Sequence, residues 1–224
     1  PQFEFIFLAR EDLAVHHFGL LRNFFKGYHP QYLINCAAYT AVDRAETEKE
    51  LAFQINAEAV GVMAAVCAAY NTRFIHISTD YVFDGTATSP YKEDAATNPQ
   101  SVYGTSKLEG EEQAFRFNPD AIVIRTAWVY SEFGKNFVKT MMKLMNERDE
   151  VNVVSDQIGS PTYAANLAEA ILTIIASAKW KAGIYHFSDE GIISWYEFAL
   201  AIKEISRSNC TIKPITTMDY PTPA

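Results

Sequence analysis

Cysteine is scarce: three in 224 residues, none in CxxC spacing, which excludes a disulfide framework and a zinc ribbon. Cys36, Cys67 and Cys210 fall in apolar surroundings, so buried thiols in a reducing, cytoplasmic compartment are expected. The five histidines offer no HExxH or HxxxH pair. His16 and His17 are adjacent and cannot share a helical face, and His29, His76 and His186 are isolated, so ordinary side chains rather than metal ligands are expected. No apolar run approaches the ~18 residues of a membrane span, and no charged-then-apolar leader with a small-residue cleavage site is visible, so no membrane partner is expected. Basic patches are absent too: 19 Lys and Arg stand against 27 Asp and Glu, and the net charge of -8 argues against a nucleic-acid surface. The acidic residues are dispersed through KEDAAT, EGEEQ and ERDE, as on solvated faces. There is no repeat or low-complexity tract, and glycine is missing early: Gly19 is the first, and no GxGxxG or GxxGxxG occurs anywhere.

What is present is a chain able to bury a core, with 49% apolar residues and a length that fits one large domain, or one domain plus a lobe. After Pro1, FEFIFL alternates as a strand does. Leu13 to Lys26 has helical spacing, with Gly27 as its stop and Pro30 beyond. YLINC reads as a buried strand with the small residues Ala37 and Ala38 at its end, where a tight turn or a close approach to a ligand both fit. ETEKELAFQINAEAVGVMAAVCAAY reads as one long helix with Asn56 in its middle, solvated or bonding locally. AIVIRTAWVY is expected as a strand with Trp128 at its exit, and NFVKTMMKLMNE as a helix whose Met141, Met142 and Met145 fill a core. DQIGSPT reads as a loop, LAEAILTIIASA as a helix and GIYHFS as a strand. Ser194 and Glu197 form a capping box opening SWYEFALAIKEIS. Alternating strands and helices predict an α/β fold: an open, mainly parallel sheet wrapped by helices, with a smaller lobe from the later segments.

The chemistry concentrates between Phe74 and Lys107. RFIHIS reads as a buried strand, and Thr79 and Asp80 fall where it gives way to loop, the end at which parallel sheets hold ligands. Tyr103 and Lys107, four residues apart in a helical pattern, share one face. A phenol titrating near pH ~10 is a poor acid for an alkoxide unless its phenolate is stabilised, and a fixed lysine charge does that. With a Thr79 hydrogen bond, the trio would polarise a carbonyl while a cofactor delivers hydride. A solvated helix face fits the bare YxxxK spacing as well, and the strand-end STD favours the chemical reading.

Seven blocks now align in order: INCAAYTAVDRAE (34 to 46), FQINAEAV (53 to 60), ISTDYVFDGT (77 to 86), YGTSKLEGE (103 to 111), RTAWVY (125 to 130), DQIGSPT (156 to 162) and YPTPA (220 to 224). Together they resemble the dTDP-4-dehydrorhamnose reductases of the extended short-chain dehydrogenase/reductase superfamily. The resemblance implies a Rossmann-like doubly wound sheet, with residues 1–130 mainly binding NADPH or NADH. Residues 131–224 would mainly grip a nucleotide-sugar, with late segments returning to the main sheet. It implies reduction of the 4-keto group of dTDP-4-dehydro-L-rhamnose, with Tyr103 as general acid, Lys107 as its partner and ribose anchor, and Thr79 bonding the carbonyl. Tyr81 and Trp128 would contact substrate. Asp12, Leu13, Ala37, Ala38, Tyr39, Thr40, Asn56 and Ser78 would line the cofactor, with Asn56 supporting the lysine through water. A homodimer is also consistent with the family. By the same likeness a first strand and glycine-rich turn are expected before Pro1, further residues between FEFIFL and Asp12, and an arginine-proline segment and helix after YPTPA. Two rivals stay open: a non-catalytic regulatory subunit of methionine adenosyltransferase, whose relatives tend to replace the tryptophan kept here as Trp128, and a reductase or epimerase of another nucleotide-sugar.

Overall fold

The computed structural model describes residues 3–177 and 179–223. FEFIFL forms no strand; the rings of Phe5 and Phe7 stack on each other with centroids 5.9 Å apart, and Phe7 is exposed. Alternation makes a strand only where a neighbour takes its hydrogen bonds. Helix α1 (Phe18–Tyr28) starts later than the apolar spacing suggested, because His17 is its N-cap and its ring accepts from Leu20 N. The helix passes through Gly27 and ends at His29, which takes the left-handed conformation. Leu13 and Val15 pack on the core from outside the helix.

Strand β1 (Tyr32–Asn35) leads to α2 (Val42–Ala45), and then α3 (Lys49–Phe53), a π turn (Gln54–Glu58) and α4 (Ala59–Ala69) run on from one another. By length and composition Lys49–Ala69 is apolar enough to cross a membrane, contrary to the expectation that no such stretch exists. Its apolar surface serves the interior instead: Val60, Met63, Val66 and Cys67 are buried with Leu21, Phe25, Phe74 and Val123 in one cluster. Strand β2 (Arg73–Thr79) ends in a 3-10 turn (Asp80–Val82), α5 (Val102–Phe117) follows, and β3 (Ile122–Thr126) closes this half.

The expected single strand AIVIRTAWVY is broken after Thr126, since Trp128 has φ of 50° and only then does β4 (Val129–Tyr130) begin. A left-handed backbone cannot continue a ladder. Next come α6 (Phe137–Glu147), β5 (Glu150–Val154), β6 (Ile158–Gly159), β7 (Thr162–Tyr163), α7 (Ala164–Ala176), β8 (Gly183–His186), β9 (Ile193–Ser194), α8 (Trp195–Ser206) and β10 (Thr211–Ile215). DQIGSPT is thus not all loop, since β6 pairs antiparallel with β9 and β7 pairs parallel with β4. Both halves of the Ser194/Glu197 capping box form.

The described residues divide into two compact units, 3–125 with 181–185, and 126–177 with 179–180 and 186–223. The first holds the four-stranded sheet β1-β2-β3-β8, in which β1 and β2 run parallel from Tyr32 opposite Arg73 to Asn35 opposite His76. The second is built on the parallel pair β10-β5 and a core of Met141, Met145, Val151, Val153, Phe198 and Ile212. Met142 is exposed rather than part of that core, because it sits one position off the buried face of α6. Cys67 and Cys210 are buried, but Cys36 is exposed just past the end of β1.

Candidate active site

The site is assembled by two close approaches of backbone. Ser101 caps α5 by accepting from Gly104 N, while Glu46 accepts from Val102 N at 2.7 Å. A Cβ at Gly104 would lie 2.2 Å from the Tyr81 carbonyl oxygen, and one at Gly110 would lie 2.0 Å from that of Asn56. Only glycine lets α5 lie this close to the residues after β2 and to the π turn. The first contact sets the rings of Tyr81 and Tyr103 edge to face, 5.4 Å apart. Thr79, the last residue of β2, accepts from Tyr81 N and donates to Asp80 Oδ1, each at 3.2 Å. Thr79, Tyr81 and Tyr103 are therefore brought together in the first unit, with Lys107 four residues beyond Tyr103 on α5.

Their protonation departs from the sequence expectation. Burial pushes the Tyr103 phenol up to about 12, the Thr79 hydrogen bond opposes that rise, and Asp80 adds to it. The lysine charge does not lower this phenol into the neutral range. Lys107, only 2% exposed, donates to the Ile77 carbonyl at 2.6 Å and lies 3.4 Å from His76 Nε2. Burial drives its own titration down to about 8, against the pull of Glu111 and Cys36. Burial of its carboxyl raises Asp80 to about 6, against hydrogen bonds from Thr79 and from the Asp80 and Tyr81 backbone.

Asn56 is neither solvated nor bonding locally, as its place in mid-helix suggested. The π turn aims it inward, where Oδ1 accepts from Tyr39 N at 2.8 Å while Nδ2 donates to Tyr39 O and Ser106 Oγ. It thereby pins Ala37, Ala38, Tyr39 and Thr40, of which Ala37 and Thr40 are exposed. The Tyr39 hydroxyl turns to Glu48 at 2.7 Å. Asp12 is exposed and accepts from Ala9 N at 2.7 Å, and Leu13 is half-buried. Ser78 is buried with its hydroxyl donating to Glu111 Oε1 at 2.5 Å, so it can offer a cofactor its backbone and not its side chain.

Glu111 is one residue the sequence reading passed over. It receives Arg125 in a buried, two-pronged pair, 2.7 Å from NH2 and 2.9 Å from Nε, and Arg125 also lies over the Phe83 ring. The signals were legible: Glu111 follows Lys107 by four residues on one helical face, and Arg125 interrupts an apolar strand. His76, fully buried, was also missed, because one histidine in a strand carries no spacing to read. In the second unit, Trp128 stacks on Trp195 with centroids 3.5 Å apart, and Gly159 lies against the Trp128 ring so closely that a Cβ there would be 2.6 Å from it. Trp195 already covers one face of that indole.

The family model described as the RmlD substrate binding domain matches residues 2–224. The chain belongs to the RmlD family. This RmlD-family chain is 39% identical over 231 residues to a dTDP-4-dehydrorhamnose reductase of Aggregatibacter actinomycetemcomitans, an alignment covering 99% of the chain and 79% of the relative. It superposes with a TM-score of 0.93 on a dTDP-4-dehydrorhamnose reductase from Clostridium acetobutylicum, at 41% identity over 97% of this chain and 76% of that one. The score is 0.94, at 36% identity and the same coverage, for the Bacillus anthracis dTDP-4-dehydrorhamnose reductase solved in complex with NADP. The α/β, Rossmann-like architecture is that of the RmlD-type reductases.

Proposed function

We propose that this RmlD-family protein is an NAD(P)H-dependent oxidoreductase that reduces the 4-keto group of dTDP-4-dehydro-L-rhamnose to give dTDP-L-rhamnose. The observation that carries the reading is the hydrogen bond between Thr79 and the Tyr103 phenol at the end of β2, with the buried Lys107 nitrogen bonded to the Ile77 carbonyl two residues upstream. Bound NADPH or NADH supplies the hydride. The residues present fit such a cofactor: the segment from Ala37 to Thr40 keeps small and exposed positions while Asn56 fixes its backbone. With Asp12, Leu13, the Ser78 backbone and Lys107, this segment would hold the dinucleotide. Thr79 donates to the carbonyl oxygen, polarising it, and Tyr103 gives its phenolic proton to that oxygen as negative charge develops there. Lys107 holds positive charge behind the phenol.

In this reading the first unit carries the dinucleotide and the second the sugar, with Tyr81 and Trp128 as substrate contacts, and the enzyme is cytoplasmic. Tyr103→Phe keeps the ring and its packing but removes the proton, so turnover should fall ~100- to 10,000-fold while dinucleotide affinity changes little. Turnover left intact in that variant would overturn the assignment.

A further inference from the structure

A chain of buried polar groups that the reaction above does not use runs from β1 to Lys107. Ala37 N donates to Asn35 Oδ1 at 3.0 Å, which fixes the orientation of that amide, since flipping it would set NH2 against N–H. Asn35 Nδ2 therefore faces His76 Nδ1, at 3.0 Å, as a donor, and Nδ1 must accept. A neutral imidazole that accepts on Nδ1 carries its hydrogen on Nε2. That nitrogen lies 3.4 Å from Lys107 Nζ. An ammonium has three hydrogens and no lone pair to meet an N–H, whereas an amine has one. Asn35, His76 and Lys107 are all at most 3% exposed, so water is not at hand to relieve a mismatch.

We propose that His76 is a positioning residue for Lys107: held by Asn35 with its hydrogen on Nε2, it donates to the lysine nitrogen, stabilising the amine and disfavouring the ammonium. The proposal rests on the reading of Lys107 as the partner of Tyr103. Two groups pull the other way, Glu111 on the same helix and Cys36 after β1. Asp80 and Tyr81 act on the neighbouring Tyr103. The histidine itself is kept neutral by its burial and by the lysine charge. The outcome is a lysine whose titration, at about 8, lies close to neutral pH, four residues along α5 from a phenol that is the much weaker acid. In its amine form Lys107 accepts from His76 Nε2–H.

Two measurements on the ligand-free protein test this. With imidazole nitrogens labelled with 15N, long-range proton–nitrogen correlations should show His76 neutral from about pH 6 to 9, pyrrole-type at Nε2 and pyridine-type at Nδ1. A hydrogen on Nδ1, or an imidazolium, overturns the proposal. In Asn35→Asp the carboxylate takes a hydrogen from Nδ1 and turns the Nε2 lone pair toward Lys107. The lysine midpoint, read from its ε-carbon resonance, should then rise by about one unit, a tenfold gain in proton affinity. The same substitution in a His76→Phe background should move it far less; an equal rise there would mean that the added charge acts without the imidazole, and would contradict the proposal. Neither readout needs turnover, so a protein lacking reductase activity would sink the proposed function and leave this result standing.

Discussion

Lys107 keeps a charge where almost no water reaches, and the sign of the resulting pH dependence can be worked out. Its folded titration at about 8 lies below the ~10.4 of an unfolded lysine, so between those values the unfolded chain binds more protons and stability rises with pH. The penalty is complete below about pH 8 and gone above ~10.4, an effect on the order of 3 kcal/mol. Lys107→Met should therefore gain stability over the wild type at pH 7 and lose most of that advantage near pH ~10.5. Urea midpoints of both proteins at the two pH values would show it, and an advantage independent of pH would contradict the burial account. At this scale the sequence conveyed Thr79, Tyr103 and Lys107 through strand-end position and helical spacing. It did not convey His76 or Asn35, whose meaning lies in the pairing of β1 with β2, which sets Asn35 opposite His76.

Elements were readable where local chemistry decides them and obscure where a distant surface does. The Ser194/Glu197 box and the Ser101 cap act within four residues, and the first was read directly. The π turn at Asn56 was not; the backbone that packs on the Asn56 carbonyl there is that of α5 at Gly110, in a segment far along the chain. Nor does any side-chain pattern announce a left-handed tryptophan between β3 and β4. The glycines allow a direct comparison. Gly110→Ala meets backbone at 2.0 Å and must push α5 off the π turn, whereas Gly61→Ala meets only the Gln113 and Phe117 side chains, at 3.2 Å and 3.3 Å. Gly110→Ala should lose at least the ~1–3 kcal/mol of an overpacked core, together with the Asn56 bonds to Tyr39. Gly61→Ala should lose clearly less. Equal thermal midpoints for the two variants would show that the close approach at Gly110 does not hold the helix in place.

The α/β class of the whole chain followed from its alternation of strands and helices, whereas the return of a late segment to the main sheet was implied by the family resemblance alone. Residues 181–185 belong to the first unit and include most of β8, the neighbour of β3, and a four-residue strand does not name its partner in sequence. If the second unit holds the sugar, Trp128, half-buried between Trp195 and Gly159, presents it with the part of the indole that stays exposed. Trp128→Ala should then weaken nucleotide-sugar binding by roughly 1 to 3 kcal/mol and leave dinucleotide affinity nearly unchanged. Calorimetric titration with each ligand separates this from a packing role, in which folding or both affinities would suffer. The most direct test of the reductase reading is to incubate the full-length protein with dTDP-4-dehydrorhamnose and either NADPH or NADH. The absorbance of the reduced nicotinamide and the sugar product are followed together. The account predicts oxidation of one dinucleotide for each dTDP-rhamnose formed, and the absence of both with either dinucleotide would contradict it.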